Sequence, residues 1–349
     1  MSPSENEPNE ADTNEATENG PDENGPVALK VEDLSVDLRT QHGTVRAVDQ
    51  ADFSVRSGQT LALLGESGCG KSMTAQAVAG LLDPVASVAG GSVRLNGDEL
   101  LTMDRAARRK VAGPRLSIVF QDALTALNPV QTVGAQLAEP FRIHRGMSRR
   151  AAAGKAAELM ERVGIPDPDS RLSAYPHQFS GGMRQRLLIA MAVALDPEVL
   201  LADEPTTALD VTVQAQIMEL LRELRTERRM AIVLITHDLA VVAEHADRVA
   251  VMYAGRIVET GPVAEVFADP RHPYTRGLLE SVPARVGRGE ELHSIKGGPP
   301  ELHAVPAGCA FQARCPMVED LCRTERPEPA GVAPGRAAAC HFAKEPARA

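Results

Sequence analysis

The chain has 349 residues, 43% hydrophobic and 24% charged, with a formal net charge of −10. That length suits one large domain with a smaller appendage, and the apolar content suffices for a sizeable core. The longest apolar run, Leu187 to Leu195, is nine residues, well short of the ~20 that span a membrane. No charged-then-apolar leader opens the sequence, so a cytosolic protein with reduced thiols is expected.

The acidity is concentrated at the start. Residues 1–27 carry eight acids and no Lys or Arg, so without them the net charge of −10 becomes −2. This Glu-, Asn- and Pro-rich stretch has almost nothing to bury and is expected to be a disordered, solubilising tail. The remaining charge is nearly balanced, and nothing favours nucleic acid as a partner.

Order is expected from about Val27. Val31, Leu34, Val36 and Leu38 make an extended apolar pattern, repeated at Phe53 and Val55 after a turn at Gln41-His42-Gly43. Leu61 to Leu64 reads as a strand buried on both faces. A glycine-rich loop follows, then a helix over Met73 to Leu82. Val93 to Gly97 reads as a strand ending in an Asn-Gly turn. Ser148 to Gly164 predicts a helix capped by Ser148 and closed by Gly164. Gly182 to Leu195 predicts another, stopped by Asp196-Pro197. Val199 to Ala202 and Ala231 to Ile235 are two more strands of the buried type. There is no internal repeat. The alternation of strand, loop and helix predicts an α/β fold with a largely parallel sheet. From about Pro270 Pro, Gly and Arg rise and four of the five cysteines appear, so a boundary is placed there.

Two segments carry phosphate chemistry. Gly65-Glu66-Ser67-Gly68-Cys69-Gly70-Lys71-Ser72 fits G-x-x-x-x-G-K-[ST]. Glycines let successive backbone N–H groups turn inward to phosphate oxygens, Lys71 offers a point charge, and Ser72 offers a hydroxyl to Mg²⁺. The helix that starts here, with Met73 in its first turn, directs its positive end at the anion. Val199 to Ala202 then leads into Asp203 and Glu204. Two carboxylates at the end of a buried strand need a task. Asp203 suits Mg²⁺, and Glu204 suits polarising an attacking water.

Further motifs make the pattern more specific. Phe179-Ser180-Gly181-Gly182-Met183-Arg184-Gln185-Arg186 begins its S-G-G core 23 residues before Asp203. Together with Gln121 in Ile118 to Asp122, Ala208-Leu209-Asp210, and His237 in Ile235 to Asp238, it resembles the motifs of ABC-type ATPases, in the family's order. The resemblance covers residues 28–270 and implies a P-loop ATPase with a helical subdomain at about 122–185. It implies that Gln121 senses Mg²⁺ and the attacking water, that His237 helps place that water, and that Ser180, Gly181 and Gly182 face the ATP of a partner ATPase, with Asp210 in the adjoining loop. One feature departs from the family. The stretch Gln41 to Arg46 has no aromatic residue to stack on adenine, leaving His42 or Arg46 as candidates.

His272-Pro273-Tyr274-Thr275, Gly298-Pro299-Pro300, Gly308 to Phe311, Arg314-Cys315-Pro316, Cys322 and Cys340-His341 resemble the C-terminal extension of oligopeptide and dipeptide importers, here residues 271–349. Cys309, Cys315, Cys322 and Cys340 lie in a C-x5-C-x6-C-x17-C arrangement. Four thiolates can hold a [4Fe–4S] cluster or one Zn²⁺, or remain free thiols. The resemblance implies the cluster. Cys69 is expected to be a packing residue, with a low-pKa thiol as the alternative.

The resemblance as a whole implies an ATP-hydrolysing, Mg²⁺-dependent subunit that powers peptide import. Its partners would be a second ATPase subunit in a heterodimer, two transmembrane permeases, and through them an extracytoplasmic substrate-binding protein. The permease contact would lie between Gln121 and about Met147, and the subunit would sit peripherally on the cytoplasmic face of the membrane. The alternatives are an importer of the same family for a nickel chelate or glycoside, and a soluble ABC-type ATPase acting on nucleic acid or ribosomes.

Overall fold

The computed structural model describes residues 25–41, 43–122, 126–207, 209–281 and 295–344. Most of the acidic tail, His42 and Ala208 lie outside the described residues.

The polypeptide opens with a long antiparallel hairpin, β1 (Val27–Thr40) and β2 (Gly43–Arg56). Strand β3 (Thr60–Leu64) is buried throughout and feeds the glycine-rich loop and helix α1 (Lys71–Ala79). The expected end of that helix at Leu82 is corrected: Gly80, at φ 72°, takes the left-handed conformation, so the helix ends at Ala79, three residues earlier. Strand β4 (Ala86–Leu95) follows, and Asn96-Gly97, both at positive φ, turn it into β5 (Asp98–Glu99). This is the Asn-Gly hairpin turn that the sequence indicated.

Next come α2 (Arg105–Val111), β6 (Leu116–Val119) and a helical stretch formed mainly by α3 (Val133–Arg145), α4 (Arg149–Arg162) and α5 (Pro168–Arg171). Ser148 caps α4 as expected, its Oγ accepting from the Ala151 N–H at 3.3 Å. Helix α6 (Gly181–Val193) leads into β7 (Val199–Asp203), α7 (Val211–Arg228) and β8 (Ala231–Thr236). After α8 (Leu239–His245) come β9 (Arg248–Tyr253), β10 (Arg256–Pro262), α9 (Val263–Ala268) and α10 (Pro273–Glu280). The C-terminal residues add α11 (Asp320–Thr324), β11 (Ala330–Ala333) and β12 (Arg336–Ala338).

Two sheets organise these elements. The smaller runs β2-β1-β4-β5, and the larger runs β11-β12-β10-β9-β3-β8-β7-β6. The five strands from β9 to β6 pair in parallel and form the α/β core that the alternation indicated. Strand β8 shows why apolar alternation is absent from its sequence. Ile232 and Leu234 enter the core beneath α3, α4 and α6, while Ala231, Val233 and Ile235 enter the core shared with the smaller sheet and α1. Both faces are covered, so every position from Ala231 to Ile235 is apolar. A third core, around Val266, Tyr274 and Phe311, packs against β3, β9 and β10.

Register decides where the chemistry gathers. Leu64 of β3 lies beside Thr236 of β8, and Asp203 of β7 beside Ile235. Val119 of β6 lies beside Ala202. The carboxyl ends of four parallel strands are therefore level, and the residues after them leave the sheet along one edge.

The C-terminal residues continue this sheet. Strand β12 pairs with β10 through Glu259 and Ala338, and through Thr260 and Ala337. Glu259 is buried and accepts the N–H groups of Arg271 and His272 at 2.8 and 2.9 Å, with Arg336 at 3.6 Å. Among the described residues no helix is long and apolar enough to cross a membrane.

Leu63 sits mid-strand, 1% exposed, between Ile235 of β8 and Ala250 of β9. Leu63→Ala should lower the unfolding free energy by about 2–5 kcal/mol, and Ile235→Val by only about 0.5–1.5 kcal/mol. Urea denaturation of the full chain measures both. Losses below about 1 kcal/mol for Leu63→Ala would mean that β3 is not the central strand.

Candidate functional site

The loop after β3 is shaped by close approach. A Cβ on Gly65 would stand 2.2 Å from the Met252 carbonyl oxygen, and one on Gly70 would stand 2.8 Å from the Ala47 carbonyl oxygen. Gly70 also adopts φ 109°, where side chains are strained. Only glycine lets the loop lie this tightly against β2 and β9. Ser67 and Gly68 are exposed at its crest, and Met73 is half-buried in the first turn of α1. Lys71 is 5% exposed. Its Nζ donates to the carbonyls of Gly65 at 2.8 Å and Glu66 at 3.0 Å, which holds the ammonium at the centre of the loop. Cys69 is buried, and burial pushes its thiol up, so the low-pKa alternative for this residue is set aside.

Ser72 and Asp203 meet at this loop, the Ser72 Oγ donating to Asp203 Oδ1 at 3.0 Å. Asp203 is 4% exposed. Burial pushes its carboxyl up and the adjacent Glu204 adds to this, against the Ser72 hydrogen bond and the Lys71 charge. A half-buried hydroxyl and a buried carboxylate form a hard oxygen donor set, which suits Mg²⁺.

Glu204 collects three side chains. Its Oε2 accepts from Gln121 Nε2 at 2.9 Å and from Thr207 Oγ1 at 2.7 Å, and its Oε1 lies 3.2 Å from His237 Nδ1. Its backbone is at φ 45°, and its N–H donates to the Ile235 carbonyl at 2.9 Å. A left-handed Glu costs on the order of 1–3 kcal/mol. Here that conformation turns the chain sharply off β7, so that the carboxylate lies between Gln121 and His237. Burial works to raise the Glu204 carboxyl. The hydrogen bonds from Thr207 and His237, with the charges of His237 and Lys71, outweigh it and hold the group below its ordinary value. Two adjacent carboxylates are thereby driven in opposite directions.

The structure thus brings Lys71, Ser72, Gln121, Asp203, Glu204 and His237 to one edge of the sheet. The remaining motif residues lie elsewhere. Ser180 caps α6, its Oγ accepting from the Met183 N–H at 3.3 Å. Asp210 caps α7, its Oδ1 accepting from the Val213 N–H at 2.9 Å. A Cβ on Gly182 would press on Val213 Cγ1 at 2.7 Å, whereas one on Gly181 meets only Leu209, at 4.0 Å. Among the described residues, no hydrogen bond or ion pair joins the Ser180-Gly181-Gly182 turn to the glycine-rich loop. Of the adenine candidates, Arg46 is engaged by Asp37 at 2.5 Å and Asp49 at 3.5 Å.

Three contacts had no signal in the motifs. Thr207 shares Glu204 with His237. Tyr274 Oη accepts from the Glu66 N–H at 2.9 Å. Arg314 holds the Glu66 carboxylate with both terminal nitrogens, at 2.7 and 2.9 Å. Only the Thr that follows Asp-Glu-Pro-Thr could have been suspected from chain proximity.

The cluster expectation at the C-terminal cysteines is corrected. Cys309, Cys315, Cys322 and Cys340 do border one cavity, with His272, Phe311 and His341 in its wall, but its free volume is about 10 Å³. That is the space of roughly one water molecule. Among the described residues no group of three or more His, Cys, Asp or Glu side chains is arranged to hold a metal ion, which removes the iron–sulfur and zinc assignments alike. The cysteines are free thiols. Burial pushes Cys309 and Cys340 up, and Cys315 up to about 11, away from the thiolate form a metal requires.

Comparison with known proteins agrees with this geometry. Residues 48–207 match the family model described as ABC transporter, and residues 258–322 match that described as oligopeptide/dipeptide transporter, C-terminal region. The chain is 51% identical to a dipeptide transport ATP-binding protein of Bacillus subtilis, over 84% of this chain and 88% of the relative. It is 46% identical to the protein of the same name from Escherichia coli, over 90% of this chain and 96% of the relative. Among solved structures, the dimeric form of a bacterial ABC transporter cassette matches with a TM-score of 0.61 and 26% identity, over 67% of this chain and 98% of that one.

The opposed electrostatics are measurable. Carboxyl ¹³C titration should place Asp203 above about 3.9 and Glu204 below about 4.3, the ordinary values. Thr207→Val removes one of the hydrogen bonds that lower Glu204 and should move its midpoint upward. Ordinary midpoints for both groups, unaffected by Thr207→Val, would contradict the arrangement.

Proposed function

Because the chain belongs to the ABC transporter family and is a P-loop ATPase, we propose that it powers the import of di- or oligopeptides as the nucleotide-binding subunit of a membrane transporter. The observation that carries the catalytic half is the convergence of Gln121, Thr207 and His237 on Glu204, beside the Lys71 loop. The peptide half is supported by relatives 46–51% identical that are named for dipeptide transport, and by the match of residues 258–322. A nickel-chelate or glycoside substrate is not favoured by these names, nor is a soluble ATPase acting on nucleic acid or ribosomes.

In this reading the loop of residues 65–73 receives the ATP phosphates through the Lys71 ammonium and its backbone N–H groups, except that of Glu66, which Tyr274 takes. Ser72, Asp203 and Gln121 would hold Mg²⁺, whose charge screens the phosphate oxygens and offsets the burial of Asp203. Glu204, kept ionised by its hydrogen bonds, accepts a proton from the attacking water. Gln121 and His237 fix the direction of that carboxylate, and His237 would also hydrogen-bond the γ-phosphate. Ser180, Gly181 and Gly182 then present a helix start to the ATP of a second ATPase subunit in a heterodimer. Residues between Gln121 and about Met147 meet two permeases, which link the subunit to an extracytoplasmic binding protein. With no membrane-crossing helix among the described residues, attachment to the cytoplasmic face would be peripheral and through those permeases. The division into residues 28–270 and 271–349 follows the same reading.

Glu204→Gln keeps size and hydrogen bonding but removes the charge. It should reduce turnover in the assembled transporter by about 10²-fold or more while ATP binding persists. Near-normal hydrolysis would take the role from Glu204. For the heterodimer, Gly181→Asp is the cleaner probe, since the Cβ there has room and at Gly182 it does not. A carboxylate at residue 181 opposes the partner's γ-phosphate, so hydrolysis by the assembly should collapse while this chain's own ATP affinity is unchanged. Full transport-level activity from the isolated subunit would exclude obligatory pairing.

A further inference from the structure

The glycine-rich loop carries an acid at one of its variable positions, and an arginine almost 250 residues later is folded onto it. Every polar group of Glu66 has a partner. Its N–H donates to Tyr274 Oη at 2.9 Å, its carbonyl accepts from Lys71 Nζ at 3.0 Å, and its two carboxylate oxygens receive the Arg314 guanidinium at 2.7 and 2.9 Å. The ion pair is a two-point fork, which fixes direction as well as distance.

Arg314 is itself held in place. Its side chain is 5% exposed, its Nε donates to the Lys296 carbonyl at 3.2 Å, and its guanidinium carbon lies 5.8 Å from the Tyr253 ring centre and 5.9 Å from that of Phe311. Tyr253, Tyr274 and Phe311 pack against one another with ring centres 4.5–5.5 Å apart. Tyr253 ends β9, directly beside the loop, so the aromatic group joins the sheet edge to the C-terminal residues. A second tether lies nearby, where Arg326 pairs with Asp49 of β2 at 2.8 Å.

We propose that Arg314 is a positioning residue for ATP binding, which fixes the phosphate loop and cancels the negative charge that Glu66 would otherwise hold beside the triphosphate. The inference rests on the reading of residues 65–72 as the phosphate seat. An ATP of about four negative charges approaches a loop whose second residue is a carboxylate. Unpaired, that carboxylate repels the phosphates and is free to turn toward Lys71, competing for its ammonium. Paired with Arg314, it is neutralised and both its oxygens are engaged, leaving Lys71 held by exchangeable contacts to the Gly65 and Glu66 carbonyls and to Cys69 Sγ at 3.9 Å. The C-terminal segment therefore contributes to nucleotide affinity without touching the nucleotide.

The test uses the full-length chain and a fluorescent ATP analogue with Mg²⁺. Arg314→Gln should raise Kd about 10-fold, equivalent to about 1.4 kcal/mol. Arg314→Lys, which keeps the charge but not the fork, should raise it about 3-fold. Adding Glu66→Gln to Arg314→Gln should recover most of the loss, since no charge is then left to neutralise. A purely structural Arg314 predicts the opposite for the double variant, because both partners of the contact are gone. Unchanged affinity in Arg314→Gln would overturn the proposal. So would a loss that Glu66→Gln fails to relieve, which would assign the effect to packing on Tyr253 and Phe311. The wild-type chain is the control for the underlying reading: if it does not bind the analogue, the phosphate seat itself is wrong, whereas binding by the wild type confines any failure to Arg314.

Discussion

The parallel register of β3, β8, β7 and β6 is the constraint on which the rest of the molecule depends. Backbone hydrogen bonding sets Leu64 level with Thr236, Ile235 with Asp203, and Ala202 with Val119. Each of these strands runs in the same direction, so each releases its next residues at the same edge. The glycine-rich loop, Glu204, His237 and Gln121 are scattered over more than 170 residues of chain. They become neighbours because four strand ends are level, and a slip of one residue in any pair would turn a site residue toward the core.

That edge separates two carboxylates that differ by one position. Asp203 is the last residue of β7 and shares its burial. Glu204 is the first residue past the strand, and its left-handed backbone swings it into a ring of donors. Desolvation dominates the first, and hydrogen bonding and positive charge dominate the second. The charge on the first therefore needs a cation beside it, whereas the second is kept ionised by its own neighbours. The arrangement needs no unusual residue types, only a strand that ends between the two.

The C-terminal residues extend the same sheet through β12 and reach back to the loop through Arg314. Their apolar contribution is the Tyr253–Tyr274–Phe311 group, and their polar contributions are the Glu66 and Asp49 ion pairs and the buried Glu259–Arg336 contact. The cysteines pack in this segment around a void of about 10 Å³ as free thiols. Packing, sheet extension and ion pairs tie the segment to the core.

The sequence alone determined the buried strands β3, β7 and β8 and the phosphate loop, and its motifs carried the resemblance that implied the functional class. The strands, the loop and the cap at Ser148 rest on short-range rules: apolar runs for strands buried on both faces, glycines where the backbone must curl, and a hydroxyl at a helix start. Helix ends were less legible, because Gly80 outweighs the apolar residues that follow it. The resemblance misled at the four cysteines, since it implied a cluster where the spacing alone left free thiols open, and neither reports whether folding leaves space for a metal among them. Tertiary structure alone decided that Thr207 shares Glu204 with His237, that Arg46 is taken up by Asp37 and Asp49, and that Arg314 closes on Glu66. The physical reason is the same in each case. Such contacts join side chains whose positions follow from sheet register and the packing of distant segments, and no local propensity encodes a distance between residues 66 and 314.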